Sequence, residues 1–325
     1  MTDRFKLDRR TLLTGAVAGT ALAMSAPGVS MAAAPKQGLS RPTLYRFGLG
    51  DFEVTTILDG AIQLDGPQPI FGNNASAEDV AALAAENFLP VGRMEIAFTV
   101  TVVNTGNEVI VFDSGNGVGR RPNAGRLLEL LGSAGLEPGQ VDLVVLTHFH
   151  PDHVGGLMED GSPAFPNASY VIGGSEYDFW SNADLLTHEK MGKNAALVQN
   201  NVVPMAPKAR FIKDGDSVVS GITAVASNGH TPGHSSYHLE SQGRRLIVLG
   251  DVCNHYVMSL QRPDWHVSFD MDKDMAVASR KKMLGMIAAD KIPFIGYHTP
   301  PPAAGYLEPK GEGFRFVPVG YQLNL

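Results

Sequence analysis

Four short segments concentrate side chains able to hold a cation or activate water. Thr147-His-Phe-His-Pro-Asp-His153 places three imidazoles and one carboxylate directly after the strand-like run Val141–Leu146, which is apolar enough for burial on both faces. In an extended backbone His148 and His150 point the same way, and Asp152 and His153 fall in the turn beyond. Gly229-His-Thr-Pro-Gly-His-Ser235 is a Gly/Pro turn presenting histidine after the run Ile222–Ala226. Val248-Leu-Gly-Asp251 ends an apolar run on a carboxylate, and Ile295-Gly-Tyr-His298 ends another on an imidazole. Such donors suit zinc and similar divalent ions. The first segment alone offers too many for one tetrahedral site that keeps a position open, so two metals fit better.

The elements that must carry these segments are legible as alternating patterns. Strand-like runs occur at Phe52–Leu58, Ile96–Thr105, Glu108–Phe112, Asp142–Thr147, Ile222–Ala226 and Arg244–Leu249. Ser76-Ala-Glu-Asp79 reads as a capping box opening a helix with Val80, Leu83, Ala84 and Phe88 on one face. Leu127, Leu128, Leu131 and Ala134 form a second helical stripe; Met275, Met283, Met286 and Ile287 form a third, expected to be core. No repeat or low-complexity linker interrupts the chain after residue 42, so one α/β domain is the economical expectation.

The ordered set His-x-His-x-Asp-His, Thr-Pro-Gly-His, Gly-Asp and His resembles the signature of the metallo-β-lactamase superfamily. The resemblance implies a single-domain αββα four-layer sandwich. It also implies that His148, His150 and His234 bind a first metal, that Asp152, His153 and His298 bind a second, and that Asp251 bridges both. Two such ions, zinc by default, would share a hydroxide that attacks the substrate, with Asp251 and Asp152 as the catalytic carboxylates. On this reading His230 is a turn residue beside the site. His188, His238 and His266 are structural or solvated, and Cys253 is a small buried hydrophobe. Further similarity to the methyl parathion hydrolase group, whose relatives include N-acyl homoserine lactonases, lies in Gly50–Gly60, Asp152–Met158, Ala164–Ala168 and Gly313–Val319. It spans about residues 44–325 and implies an aromatic-walled pocket, onto which Phe179 and Trp180 would map; His255, four residues past Asp251, is a further pocket candidate. The segments Val252–Leu260 and Trp265–Asp270 are more polar than that group's pocket wall, which weighs against phosphotriesters.

Composition narrows the partners. The 325 residues carry a formal charge of −7 and no long basic run, which disfavours nucleic acid and anionic membrane surfaces. None of the four motif segments contains Lys or Arg, so a small neutral ester, lactone or triester is the expected substrate. Residues 1–32 have the charged, apolar and small-residue regions of a signal peptide, and Arg9-Arg10 resembles the twin-arginine export motif. Cleavage after Ala32, a linker over 33–43 and a hydrolase domain over 44–325 follow as expectations. So does a periplasmic or secreted protein with no stable membrane association after cleavage. A homodimer is compatible with the sequence. The alternatives are a metal-binding periplasmic sensor module without turnover, and a hydrolytic dehalogenase using the same centre.

Overall fold

In the computed structural model, which describes residues 34–36 and 38–325, residues 34–36 and 38–40 carry no helix or strand, and Arg41–Leu325 forms one compact unit. The expected signal segment lies outside the described residues.

Two seven-stranded sheets organise the unit. The first orders β1 (Leu44–Leu49), β2 (Phe52–Asp65), β3 (Arg93–Asn104), β4 (Val109–Phe112), β5 (Leu143–Val145), β8 (Ser169–Gly173) and β9 (Ala209–Ile212). A two-stranded hairpin, β6 (Met158–Glu159) and β7 (Ser162–Pro163), stands apart. The second sheet runs in chain order through β10 (Ser217–Val219), β11 (Ile222–Ala226), β12 (Ser235–Ser241), β13 (Arg244–Val248), β14 (Phe294–Ile295), β15 (Ala304–Lys310) and β16 (Gly313–Pro318). Strands β4, β5, β8 and β9, which run from the middle of the first sheet to its edge, pair in parallel, as does β13 with β14.

Side-chain alternation divides the apolar residues between layers. Ile110, Phe112, Val145 and Val171 point at Ala224, Tyr237, Leu246 and Val248 of the opposing sheet. Their neighbours Val111, Val144, Tyr170 and Ile172 point the other way, onto α1 (Ala77–Glu86), α2 (Leu127–Ser133), α4 (Gly174–Trp180) and α5 (Gly192–Asn201). The second sheet covers its outer face with α7 (Lys273–Asp290), through Met283, Leu284 and Ile287 against Ile247 and Phe294. Helices, sheet, sheet and helix give the expected αββα sandwich.

Two expectations about helices are corrected. Ser76 does cap α1, accepting from the Asp79 N–H at 3.1 Å, but the helix ends at Glu86. Phe88 has φ +57° and is almost wholly exposed, so it leaves the stripe of Val80, Leu83 and Ala84. In α7, Met283 and Ile287 are core while Met275 and Met286 are exposed. Positions 8 before and 3 after Met283 are rotated by about 80° and 60° from its face at 100° per residue, enough to leave the buried stripe.

Candidate metal centre

The sheet edges deliver the candidate ligands from both halves of the chain. β5 stops at Val145, and the chain runs through a bend at Thr147 to His150, itself extended in φ/ψ, which precedes the short helix α3 (Pro151–Val154). Pro151 occupies the first helical position, where no N–H is missed, and the single turn carries Asp152 and His153. These two therefore sit on a helix rather than in a simple turn. The His148 and His150 rings lie 4.7 Å apart, centroid to centroid, on one side of the chain. From the second sheet come the loop after β11, the Gly250-Asp251 turn after β13 and His298 after β14.

Two groups of donors converge, His148, His150, His230 and Asp251 in one and Asp152, His153, His298 and Asp251 in the other. Asp251 belongs to both. Its Oδ2 lies 3.2 Å from His230 Nε2 and 2.9 Å from His298 Nε2, and its Oδ1 lies 3.2 Å from His153 Nε2.

His230 stands where His234 was expected. Both nitrogens of His234 are occupied elsewhere: Nδ1 contacts the Ser227 hydroxyl at 2.9 Å, and Nε2 accepts the Asp251 backbone N–H at 2.9 Å. Burial pushes the His234 pKa down to about 3, consistent with a neutral ring that accepts at Nε2. A Cβ on Gly250, at φ +59°, would come within 2.6 Å of that Nε2, so the close approach requires glycine. His234 thus positions the Asp251 main chain, and the preceding histidine of the same turn faces the carboxylate.

The outward nitrogen of each converging imidazole is anchored, apart from that of His150. His230 Nδ1 lies 2.9 Å from Asp270 Oδ1, His153 Nδ1 lies 2.7 Å from Asp113 Oδ2, and His298 Nδ1 lies 2.9 Å from the Ala97 carbonyl. His148 Nδ1 contacts the Thr147 hydroxyl at 3.1 Å, which itself donates to Asp113 Oδ2. With Nδ1 as donor, each Nε2 presents a lone pair toward carboxylate oxygens. His148 Nε2, His153 Nε2 and Asp251 Oδ1 are buried and have no hydrogen-bond partner. Lone pairs aimed at one another across about 3 Å need a proton or a cation between them. The donor set fits a pair of divalent cations on this ground.

Protonation directions agree. Burial alone would lower the His230 pKa, but Asp251 and Asp270 outweigh it and hold the ring up to about 9. Burial opposes charge on Asp251 too, yet His298, His153 and His148 hold it well below the usual carboxylate range.

Three residues that the motifs did not reveal organise the site. The buried Glu176, at the start of α4, accepts the Phe149 N–H at 2.9 Å and the Gly233 N–H at 2.8 Å, joining the two histidine loops. Asp270 takes His230 with one oxygen and Arg280 Nη2 with the other at 2.8 Å. Arg280, fully buried in α7, also donates to the carbonyls of Val252, Pro263 and Trp265.

A cavity of about 390 Å³ adjoins His298. Apolar side chains including Leu89, Met94 and Met258 line it, together with His255 and Tyr256 from the polar segment after Asp251. Trp180 and Phe179 do not line it. Trp180 is buried in the helix-side core, edge-on to His150 at 6.3 Å, and Phe179 packs against that core. The cation-free motif segments do not make a cation-free cavity, because β3 and the segment before β1 bring Arg93 and Arg41 to its lining, the latter paired with Glu95. Cys253 is buried, as expected. His188 is exposed, and His238 and His266 are half-buried.

Among known proteins, N-acyl homoserine lactonase AiiA of Bacillus thuringiensis subsp. kurstaki is 24% identical over 173 residues, 53% of this chain and 62% of the relative. The chain thus spans less than two thirds of that relative's length. The solved structure of AidC, described as a dizinc quorum-quenching lactonase in complex with a product, superposes with TM-score 0.80 at 29% identity, over 86% of this chain and 98% of that one. A structure described as hydrolase AbOPH in the beta lactamase superfamily gives TM-score 0.80 at 27% identity, over 87% and 100%. The sequence profile of the metallo-beta-lactamase superfamily matches residues 99–289, the stretch containing every converging side chain except His298. With more than half of its length matched and the fold in agreement, the chain belongs to the metallo-beta-lactamase superfamily.

Proposed function

We propose that this protein is a dinuclear metal-dependent hydrolase of small ester-type substrates, with lactones first among them. The observation that carries the reading is the ring of imidazole nitrogens, most of them anchored from outside, facing a shared carboxylate. His148, His150 and His230 would hold one cation, Asp152, His153 and His298 the other, and Asp251 both. When bound, two such ions, zinc by default, supply Lewis acidity and bring the pKa of water toward about 7. The chain does the rest. Ala97 and Asp113 orient His298 and His153 through their outer nitrogens. Asp152 is the more open of the two central carboxylates, with 13% of its side chain exposed against 3% for Asp251. It is the group placed to pass a proton to a departing alkoxide. The mainly apolar cavity beside His298 has room for the body of an uncharged substrate.

Lactones lead because relatives similar in sequence, and the structural neighbour AidC, are described as lactonases. Initial rates on an acyl-homoserine lactone, an aryl ester, a phosphotriester, a halogenated aromatic and a β-lactam, with added zinc or manganese, test the assignment. Highest kcat/KM on the lactone is expected. Undiminished activity in verifiably metal-free protein would sink the reading, and tight ligand binding without turnover on any substrate would favour a sensor.

Residues 1–32 are proposed to direct twin-arginine export, on the strength of Arg9-Arg10 and the apolar run that follows. Replacing both arginines by lysine should leave the protein in the cytoplasmic fraction; unchanged periplasmic recovery refutes export by this route.

A further inference from the structure

His255 is a polar group of the cavity, outside the converging donor set, whose proton position is fixed. Its Nδ1 accepts two backbone N–H groups, from Val257 at 3.0 Å and Met258 at 3.2 Å, at the entry to α6 (Met258–Gln261). An imidazole nitrogen that accepts cannot also carry the proton of the neutral ring, so the hydrogen resides on Nε2. The ring cannot turn over without leaving those two N–H groups unpaired. It is also held edge-to-face against Phe71, with centroids 5.5 Å apart, and stacked on Tyr256 at 4.9 Å. Burial pushes its pKa down to about 4, so the ring is a neutral donor at ordinary pH.

Nε2, the opposite edge of the ring, has no hydrogen-bond partner among the described residues and is absent from the fully buried unsatisfied atoms. His255 lines the cavity together with His298, which belongs to the converging donor set. A fixed donor in a mainly apolar chamber is what discriminates between ligands of similar shape, because a ligand lacking the matching acceptor leaves that donor unpaired.

We propose that His255 is a specificity-determining residue: its Nε2–H donates to a carbonyl-type acceptor on the part of the substrate remote from the scissile bond. The site then prefers lactones bearing an amide carbonyl on the side chain over lactones bearing a plain alkyl chain. This inference rests on the hydrolytic reading above and specifies the substrate class within it.

The test compares two variants on two substrates. His255→Asn keeps a carbonyl acceptor near the Val257 and Met258 N–H groups but, with its NH2 on a side chain one methylene shorter than that of Gln, does not reach the position of Nε2; His255→Gln carries the same amide far enough to place its NH2 there. The readout is the ratio of kcat/KM for an N-acyl amino lactone to that for an alkyl lactone of equal length. Loss of one hydrogen bond should lower this ratio about tenfold in His255→Asn, chiefly through KM, with His255→Gln recovering most of it. A ratio unchanged in His255→Asn overturns the proposal, as does an equal fall in both variants. Wild-type protein inert on both lactones would count against the hydrolytic reading instead. The donor is then read without turnover, by calorimetric titration of an N-alkyl acylamide into wild type and His255→Asn. At least fivefold weaker binding to the variant is expected, and equal binding overturns the proposal.

Discussion

His230 Nδ1 and Asp270 Oδ1 lie 2.9 Å apart, and this contact determines which edge of the imidazole meets Asp251. The carboxylate is itself held by Arg280, 2.8 Å away and fully buried. A guanidinium from α7 on the outer face of one sheet thereby orients a nitrogen at the edge between the two sheets.

The roles of the two histidines in the Gly229–Ser235 turn separate by metal content. His230→Ala should retain about one equivalent of zinc after dialysis, because it leaves a coordination position empty. His234→Gln keeps an acceptor within reach of the Asp251 N–H and should retain close to two. Elemental analysis of both variants checks this, and a greater loss in His234→Gln would return that residue to the ligand set.

Asp270→Asn leaves Arg280 buried without its counter-charge. Removing one member of a buried pair costs on the order of 3–5 kcal/mol, and loss of an imidazole's orienting partner weakens metal binding about 10–100-fold. Urea unfolding and competition against a chromophoric chelator measure the two effects separately. Unchanged metal affinity would show that Asp270 serves packing alone.

Glu176→Gln replaces one of two acceptors by an NH2 group that opposes a backbone N–H. A destabilisation of about 1–3 kcal/mol is expected, because one buried donor loses its partner. Metal retention should fall as well, since Phe149 and Gly233 lie in the loops that carry His148, His150 and His230. Thermal melts with and without chelator provide the check.

Metal-free protein should become less stable as pH rises from about 6.5 to about 9. The folded-state pKa of His230 is held up to about 9, above its ordinary value of 6.5, so folded protein binds a proton that unfolded chain releases. The resulting stability is complete below 6.5 and is lost as pH passes through the folded value. Zinc-loaded protein, in which the cation replaces that proton, should lack this decline. Parallel slopes in melts at pH 6, 7.5 and 9 would contradict the assignment.

What the sequence discloses and what it withholds divide along contact range. His148, His150, Asp152 and His153 are legible because their spacing is local, and Asp251 and His298 because each terminates an apolar strand. The αββα order is legible because alternation and helical stripes are local too. The choice between His230 and His234 is not, since both sit in one Gly/Pro turn and are distinguished by contacts distant in sequence, the Asp251 N–H 17 residues from His234 and the Asp270 carboxylate 40 residues from His230. Glu176 and Asp270 act on partners 57 and 40 residues distant, and no motif marks them. Trp180 has the composition of a pocket wall, but its place is set by the packing of α4 against the first sheet.

The converging donors are split between the sheets, His148–His153 following β5 and His230, Asp251 and His298 following β11, β13 and β14. Bound cations would therefore act as a clasp between two halves of the polypeptide that the backbone joins through Lys213–Asp216. A nick in that connection should yield fragments that the apolar core between the sheets still holds together, and that come apart at a lower urea concentration once a chelator withdraws the ions. The same division makes a half-synthesised chain a poor chelator, because no pair of complete donor sets exists until His298 has been made.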